Sequence, residues 1–257
     1  ATLAMARKSR ELQQKGEKII NLSLGEPDFN TPDFIKKAAQ VAIENNFSKY
    51  TPVAGYAKLL EIISFKFQRD NQLNYSPNQI VCSTGAKQSI AQLLMVILNK
   101  GDEVILPSPY WVSYAQMVQL AGGTVNKIHT TIESNFKITA SDLEKKINNK
   151  TKAFLFSSPC NPSGSVYSEQ ELNQLASVLK KHKNIVIISD EIYEHINFTN
   201  KHFSIGCIKS IQDQVVTING LSKGFAMTGW RFGYLAGPEK IVKACIKMQG
   251  QITSATC

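Results

Sequence analysis

The chain has 257 residues, 43% of them hydrophobic, enough to bury a full α/β core as one large domain or two small ones. Its net charge of +9 is not gathered on one surface: Lys36-Lys37, Lys145-Lys146 and Lys180-Lys181 fall on predicted helix faces and turns, which argues against nucleic-acid binding and leaves a mild field for small anions. No run of about 18 apolar residues occurs and Ala1 to Arg10 lacks the order of a secretory signal, so a soluble, cytoplasmic protein with no membrane contact is expected.

In chain order, apolar runs of strand length are Ile19–Leu22, Ile80–Cys82, Val104–Leu106, Thr124–His129, Ala153–Ser157, Ile185–Ser189, Val215–Ile218 and Tyr234–Ala236. Helix-period segments separate them. That alternation predicts an α/β fold: a mostly parallel central sheet with helices on both faces. Thr31-Pro32 offers an N-cap followed by a proline at the first helical position, and Ser168-Glu169-Gln170-Glu171 is a capping box ahead of Leu172–Leu179. No repeat, low-complexity tract or Pro/Gly-rich linker divides the chain. Cys82, Cys160, Cys207, Cys245 and Cys257 show no CxxC spacing and the four histidines no HExxH pair, so no metal site is expected and the thiols read as small buried side chains.

In an open α/β sheet, ligands gather beyond the carboxyl ends of the strands, so the residues that follow each run carry the chemistry. Neither GxGxxG nor GxxxxGK[ST] is present, which argues against a standard dinucleotide or P-loop site. Thr84-Gly85-Ala86-Lys87 instead reads as a glycine turn opening the helix Gln88–Leu98, whose free amides suit one phosphate or are simply a strand-to-helix turn. Lys87, at that helix start, is also a candidate for the side-chain carboxylate of an acidic substrate. Asp190 ends a strand, where a buried carboxylate requires a cationic partner, either a nearby Arg or a protonated pyridine nitrogen. Tyr193 reads alone as a half-buried aromatic. Lys223 lies between an apolar strand and the aromatic, glycine-rich stretch Gly224–Tyr234, where desolvation lowers an amine's pKa and makes it nucleophilic. Arg231, eight residues later, supplies a planar fork suited to a phosphate dianion.

Ser222–Tyr234, with Leu24-Gly25-Glu26-Pro27-Asp28-Phe29, Ser158-Pro159-Cys160-Asn161-Pro162-Ser163-Gly164 and Asp190-Glu191-Ile192-Tyr193, closely resembles the class I aminotransferases of the aspartate aminotransferase fold. The resemblance runs from Ala1 to Cys257. It is strongest to bacterial aspartate aminotransferases, through Tyr50-Thr51-Pro52, Gly85-Ala86-Lys87-Gln88 and Ser108-Pro109-Tyr110-Trp111-Val112-Ser113-Tyr114. It implies that pyridoxal 5′-phosphate (PLP) is attached to Lys223, which also acts as general base, and that Asp190 pairs with the pyridine nitrogen. It further implies that Asn161 and Tyr193 bond the phenolic oxygen and that Trp111 stacks on the ring. Arg231 and the amides of Gly85, Ala86 and Lys87 would hold the phosphate, with Ser222 nearby and Tyr50 reaching the phosphate of a neighbouring subunit in a homodimer. Gly25 would line the substrate pocket together with Trp111, Asn161 and Lys87.

The implied reaction moves an amino group between an L-amino acid, aspartate preferred, and 2-oxoglutarate as the 2-oxo acid. Alternatives are prephenate, aromatic or alanine-type substrates, or a non-catalytic PLP-binding regulator. Two departures stand out. Gly220 replaces a hydroxyl residue that many relatives carry three positions before the lysine, so one phosphate hydrogen bond lacks its usual donor. Relatives also continue past Cys257 into a small domain with an arginine for the substrate α-carboxylate. The chain is therefore expected to be the large PLP-binding domain over 1–257, with about 25 residues of lead segment that would contact the absent small domain, and to be a poor catalyst alone.

Overall fold

The computed structural model describes residues 2–20, 22, 25–199 and 202–256. Seven strands form one sheet: β1 (Ile80–Ser83), β2 (Glu103–Ser108), β3 (Thr124–His129), β4 (Thr151–Ser157), β5 (Val186–Asp190), β6 (Val215–Gly220) and β7 (Gly233–Ala236). Their order is β1-β7-β6-β5-β4-β2-β3, and every pairing is parallel except the two made by β7. Eight helices accompany them among the described residues: α1 (Thr2–Gln14), α2 (Asp33–Glu44), α3 (Ala57–Asn71), α4 (Ala86–Ile97), α5 (Ser113–Leu120), α6 (Ala140–Lys146), α7 (Glu169–Leu179) and α8 (Glu239–Ile252).

Strand side chains alternate between the two faces, and that alternation aims the site. Leu155, Ile188, Val216 and Ile218 pack with Ile90, Leu93 and Leu94 of α4, Val118 of α5 and Val242 of α8. Phe154, Phe156, Ile187 and Val215 face the other way, onto Leu143 of α6 and Leu172, Leu175 and Leu179 of α7. Each fully buried Leu, Ile or Phe contributes on the order of 1.5–3 kcal/mol. Two residues beyond Ile188, Asp190 therefore lies on the α4–α5 side, while Ser189 and Glu191 are sent to the opposite side. By the same count Gly220 follows Ile218, whereas Thr217 and Asn219 turn toward α3. The registers Ser157↔Asp190 and Asp190↔Ile218 bring the ends of β4, β5 and β6 level.

Seven of the eight expected strands form. The exception is Ile19–Leu22, where Ile19, Ile20 and Leu22 are irregular and Ile20 and Leu22 are each 89% exposed; Asn21 lies outside the described residues. An apolar run without a neighbouring strand to pair with cannot satisfy its backbone in a sheet. The capping box at Ser168 is present, with its hydroxyl accepting from the Glu171 amide at 3.2 Å. Thr31 is not a cap: α2 starts from Pro32 without a side-chain cap, and the Thr31 hydroxyl donates to the Ala226 carbonyl at 2.7 Å. Cys82 and Cys245 are buried as expected, Cys160 and Cys207 are only half-buried, and Cys257 lies outside the described residues. No residue of α2 is buried; Phe34, Val41 and Ile43 are exposed on its surface.

Candidate active site

Lys223 sits in the turn that leaves β6. Phe225 N donates to Leu221 O, Ala226 N to Lys223 O and Met227 N to the carbonyl of the buried Ser222, so the turn is tied by its own backbone. The half-buried ammonium donates to the Gly25 carbonyl at 2.5 Å and stands 5.7 Å from the centre of the Tyr193 ring. Desolvation lowers its pKa, the Glu26 carboxylate raises it in part, and the Arg231 charge lowers it again. This is the amine environment expected from the sequence. Glu26 is held in turn by Thr228, whose hydroxyl donates at 2.8 Å. Leu24 of the same motif lies outside the described residues.

Gly220 has a packing reason. It pairs with Gly233 across β6 and β7, and a Cβ on it would lie 2.8 Å from the Phe232 carbonyl oxygen and 2.9 Å from Gly233 Cα. A hydroxyl residue there requires β7 to shift.

Asp190 is 3% exposed, and among the described residues no cation reaches it. Of the two partners the sequence left open, a nearby arginine is not found among the described residues. Its two oxygens instead accept from the Tyr114 hydroxyl at 2.5 Å and the Ile192 amide at 3.2 Å. Burial pushes the carboxyl up to about 6, against the lowering effect of those two donors, and the neighbouring Glu191 adds to the rise. Tyr114 in α5 carried no role in the sequence reading; its signal was a tyrosine three residues after Trp111, on the helix face turned to the sheet. Its ring meets Trp111 edge-on, with centroids 5.4 Å apart, and the Lys87 ammonium stands 4.9 Å from the Trp111 ring.

The start of α4 forms the second part of the site. Gly85, at φ +81°, is its N-cap, and the first-turn amides of Ala86 and Lys87 have no carbonyl of their own helix to bond. The Gly85 amide itself donates to Ser83 O at 2.7 Å. Arg231 lies against this turn: a Cβ on Gly85 would come 2.3 Å from Arg231 Nη2. The guanidinium is steered by the Thr228 carbonyl at 2.8 Å and the Thr84 carbonyl at 3.4 Å. Gly233 allows β7 to pass directly beneath, since its Cβ would lie 2.3 Å from Ala86 N. A guanidinium fork and helix-start amides thus lie side by side, an arrangement suited to a dianion.

Asn161, after β4, donates to the Tyr193 hydroxyl at 3.3 Å. Burial raises the Tyr193 pKa, as does the Asp190 charge, with the Asn161 bond acting the other way. The structure thus brings together Lys223, Asp190, Tyr193, Asn161, Trp111, Lys87, Arg231, Gly85, Ala86, Ser222 and Gly25 at the strand ends. Tyr50 stands apart at 99% exposure. A cavity of about 930 Å³ lies elsewhere, lined by residues including Asn71, Lys137, Tyr167 and His202, and none of the candidate residues borders it. No group of His, Cys, Asp and Glu suited to a metal occurs among the described residues, and no described helix is long and apolar enough to cross a membrane.

Lys223, the cation-free buried Asp190 and the Arg231–Gly85 turn thus stand at the ends of a seven-stranded α/β sheet. The profile of the family described as aminotransferase class I and II matches residues 17–257, and the chain belongs to that family. It is 48% identical over 256 residues to the probable aspartate/prephenate aminotransferase of Rhizobium leguminosarum bv. phaseoli, covering 99% of this chain and 64% of that relative. It is 47% identical to the aspartate aminotransferase of Bacillus sp. (strain YM-2), covering 98% of this chain and 65% of the relative. The solved aspartate aminotransferase from Thermus thermophilus with maleate superposes with a TM-score of 0.96 at 41% identity, over 100% of this chain and 66% of that one. The chain therefore spans a little under two thirds of the length of the relatives it matches.

Proposed function

We propose that the protein is a PLP-dependent aminotransferase that moves an amino group between aspartate and 2-oxoglutarate, working as a cytoplasmic homodimer. The observation that carries this reading is Asp190. Leaving a carboxylate buried with no cation costs stability unless a positively charged ligand group completes it, and a protonated pyridine nitrogen is such a group. The other residues fit the same cofactor: Arg231 with the Ala86 and Lys87 amides for its phosphate, Lys223 for its aldehyde, Asn161 and Tyr193 for its phenolic oxygen, Trp111 for its ring face, with Ser222 close to the phosphate.

When bound, PLP supplies an electron sink for the electrons released at the substrate's α-carbon. The chain's own residues supply the rest. Lys223 Nζ, its pKa lowered by desolvation, takes the proton from the substrate's Cα as general base. Asp190, once paired, holds a proton on the ring nitrogen. The Tyr193 hydroxyl, positioned by Asn161, sets hydrogen bonding on the phenolic side. Gly25, whose carbonyl holds the Lys223 ammonium, borders the substrate space. The fully exposed Tyr50 is free to reach a second subunit. The 257 residues act as the large domain, and an arginine of the remaining third found in relatives anchors the α-carboxylate.

Reduction of the PLP-loaded protein with borohydride, followed by peptide mapping, should place the pyridoxyl adduct on Lys223; an adduct on another lysine and none on Lys223 sinks the assignment. For the substrate, maleate in the Thermus thermophilus structure is a four-carbon dicarboxylate and supports an acidic substrate. Lys87, over Trp111, is placed to meet a distal carboxylate. Lys87→Ala in a chain of the relatives' length should lower kcat/KM for aspartate at least tenfold more than for a neutral amino acid. Prephenate is the second reading, favoured by the name of the Rhizobium relative, and kcat/KM with prephenate against 2-oxoglutarate as amino acceptor separates the two.

A further inference from the structure

Glu194 lies one residue past Tyr193 and takes no part in the chemistry above, yet it is among the most buried charges in the chain. Its side chain is 4% exposed and pairs with Lys66 of α3, itself 16% exposed. Asn71 Nδ2 also donates to it at 2.5 Å and Asn219 Nδ2 at 2.9 Å. A buried ion pair is weak evidence for stability, because desolving both charges offsets most of their attraction. What the arrangement does is tie three elements to one carboxylate: α3, the turn after β5, and the end of β6.

Those ties bracket Lys223. On one side, Asn219 is bonded to Glu194 and its Oδ1 accepts from the Gly220 amide at 2.7 Å, three residues before the lysine. On the other, the His195 ring lies 3.4 Å from Glu194 and packs against the residues just after the lysine. A Cβ on Gly224 would come 2.8 Å from His195 Cδ2, and the His195 and Phe225 rings meet at 5.7 Å. Glu191, three residues earlier in the turn, makes the contrast. It is 1% exposed and bonds Ser189, Ser204 and His202, all away from β6 side chains.

We propose that Glu194 is a positioning residue for Lys223: it fixes the turn that carries the lysine against the turn that carries Tyr193, and so holds the amine in its half-buried place. This rests on the reading of Lys223 as the reactive amine. Around that amine stand Glu26 and the Gly25 carbonyl from the lead segment, Arg231 from the loop before β7 and the Tyr193 ring from the β5 turn. Releasing the turn lets water reach the ammonium and removes part of the desolvation that lowers its pKa.

The test is competitive labelling of amines with acetic anhydride in the cofactor-free full chain, from neutral to alkaline pH, reading Lys223 against the exposed Lys240. In Glu194→Gln, labelling of Lys223 near neutral pH should fall about threefold and its profile should move to higher pH, toward that of an ordinary lysine. Glu191→Gln should lose comparable melting temperature and leave the profile in place. Should Glu194→Gln fail to fold, Asn219→Ser removes the tie from Glu194 to β6, together with the bond from the Gly220 amide, and must give the same change. A wild-type profile in the folded variant, or an equal shift in Glu191→Gln, overturns the proposal. Labelling needs no cofactor, so a borohydride experiment that finds no adduct on Lys223 rejects the cofactor reading and leaves this result standing.

Discussion

At the scale of single residues, Asp190 shows a site that is unstable by itself. Its carboxyl titrates at about 6 in the fold against an ordinary 3.8, so the contribution it makes to stability is complete below 3.8 and is lost as pH rises through 6. At neutral pH the deficit is about 3 kcal/mol. Asp190→Asn, which keeps the shape and can still bond Tyr114 and Ile192, should therefore raise the melting temperature of the cofactor-free protein at pH near 7.5. The gain should vanish as the pH is lowered toward 4. The same variant should lose PLP affinity. Thermal melts of both proteins across that range check the sign, and a variant that is no more stable at neutral pH means that water already relieves the charge. The residue positions themselves were legible: nearly all fall just after an apolar run, where the strand-end rule directs attention. Tyr114 was not, because its partner is 76 positions away and only the fold brings the two together.

At the scale of elements, glycine decides the shape of the anion cradle. Gly85 and Gly101 both have positive φ, +81° and +97°, but only Gly85 faces Arg231; nothing lies within 4 Å of a Cβ on Gly101. Alanine at either should cost about 1 kcal/mol through the backbone. Gly85→Ala should in addition push the guanidinium aside and weaken PLP binding about tenfold or more, which an absorbance titration with the cofactor measures. Equal affinities for the two variants contradict the cradle. Strands were readable because buried parallel strands are continuous apolar runs. Ile19–Leu22 has the same composition without a pairing partner, and composition carries no information about partners. The Thr31-Pro32 pair looked like a cap locally, but its hydroxyl is taken by Ala226, 195 positions away. Gly220 read as a missing donor and proves to be required by the approach of β7, a distance that no sequence displays.

At the scale of the whole molecule, binding and turnover should separate. The residues proposed above for the cofactor lie within these 257 positions, and α2 has no buried residue. Exposed Phe34, Val41 and Ile43 leave an apolar face that lowers solubility. With both saturated with PLP, these 257 residues alone should turn over aspartate orders of magnitude more slowly than a chain of the relatives' length, which adds the part proposed to carry the α-carboxylate arginine and its bidentate orientation. Similar kcat/KM for the two contradicts the division.

The antiparallel β7 also sets the order in which the protein becomes complete at the ribosome. β1 has β7 as its strand partner, with Ile80 opposite Ala236 and Ser83 opposite Gly233, so about 150 residues separate the two halves of that ladder. At roughly 5–20 residues per second, the strand leading into the Gly85 turn waits about 8–30 s for its neighbour to emerge. Lys223 and Arg231 lie in the stretch that leads into β7. A nascent chain stalled before β7 therefore holds β1 without its strand partner.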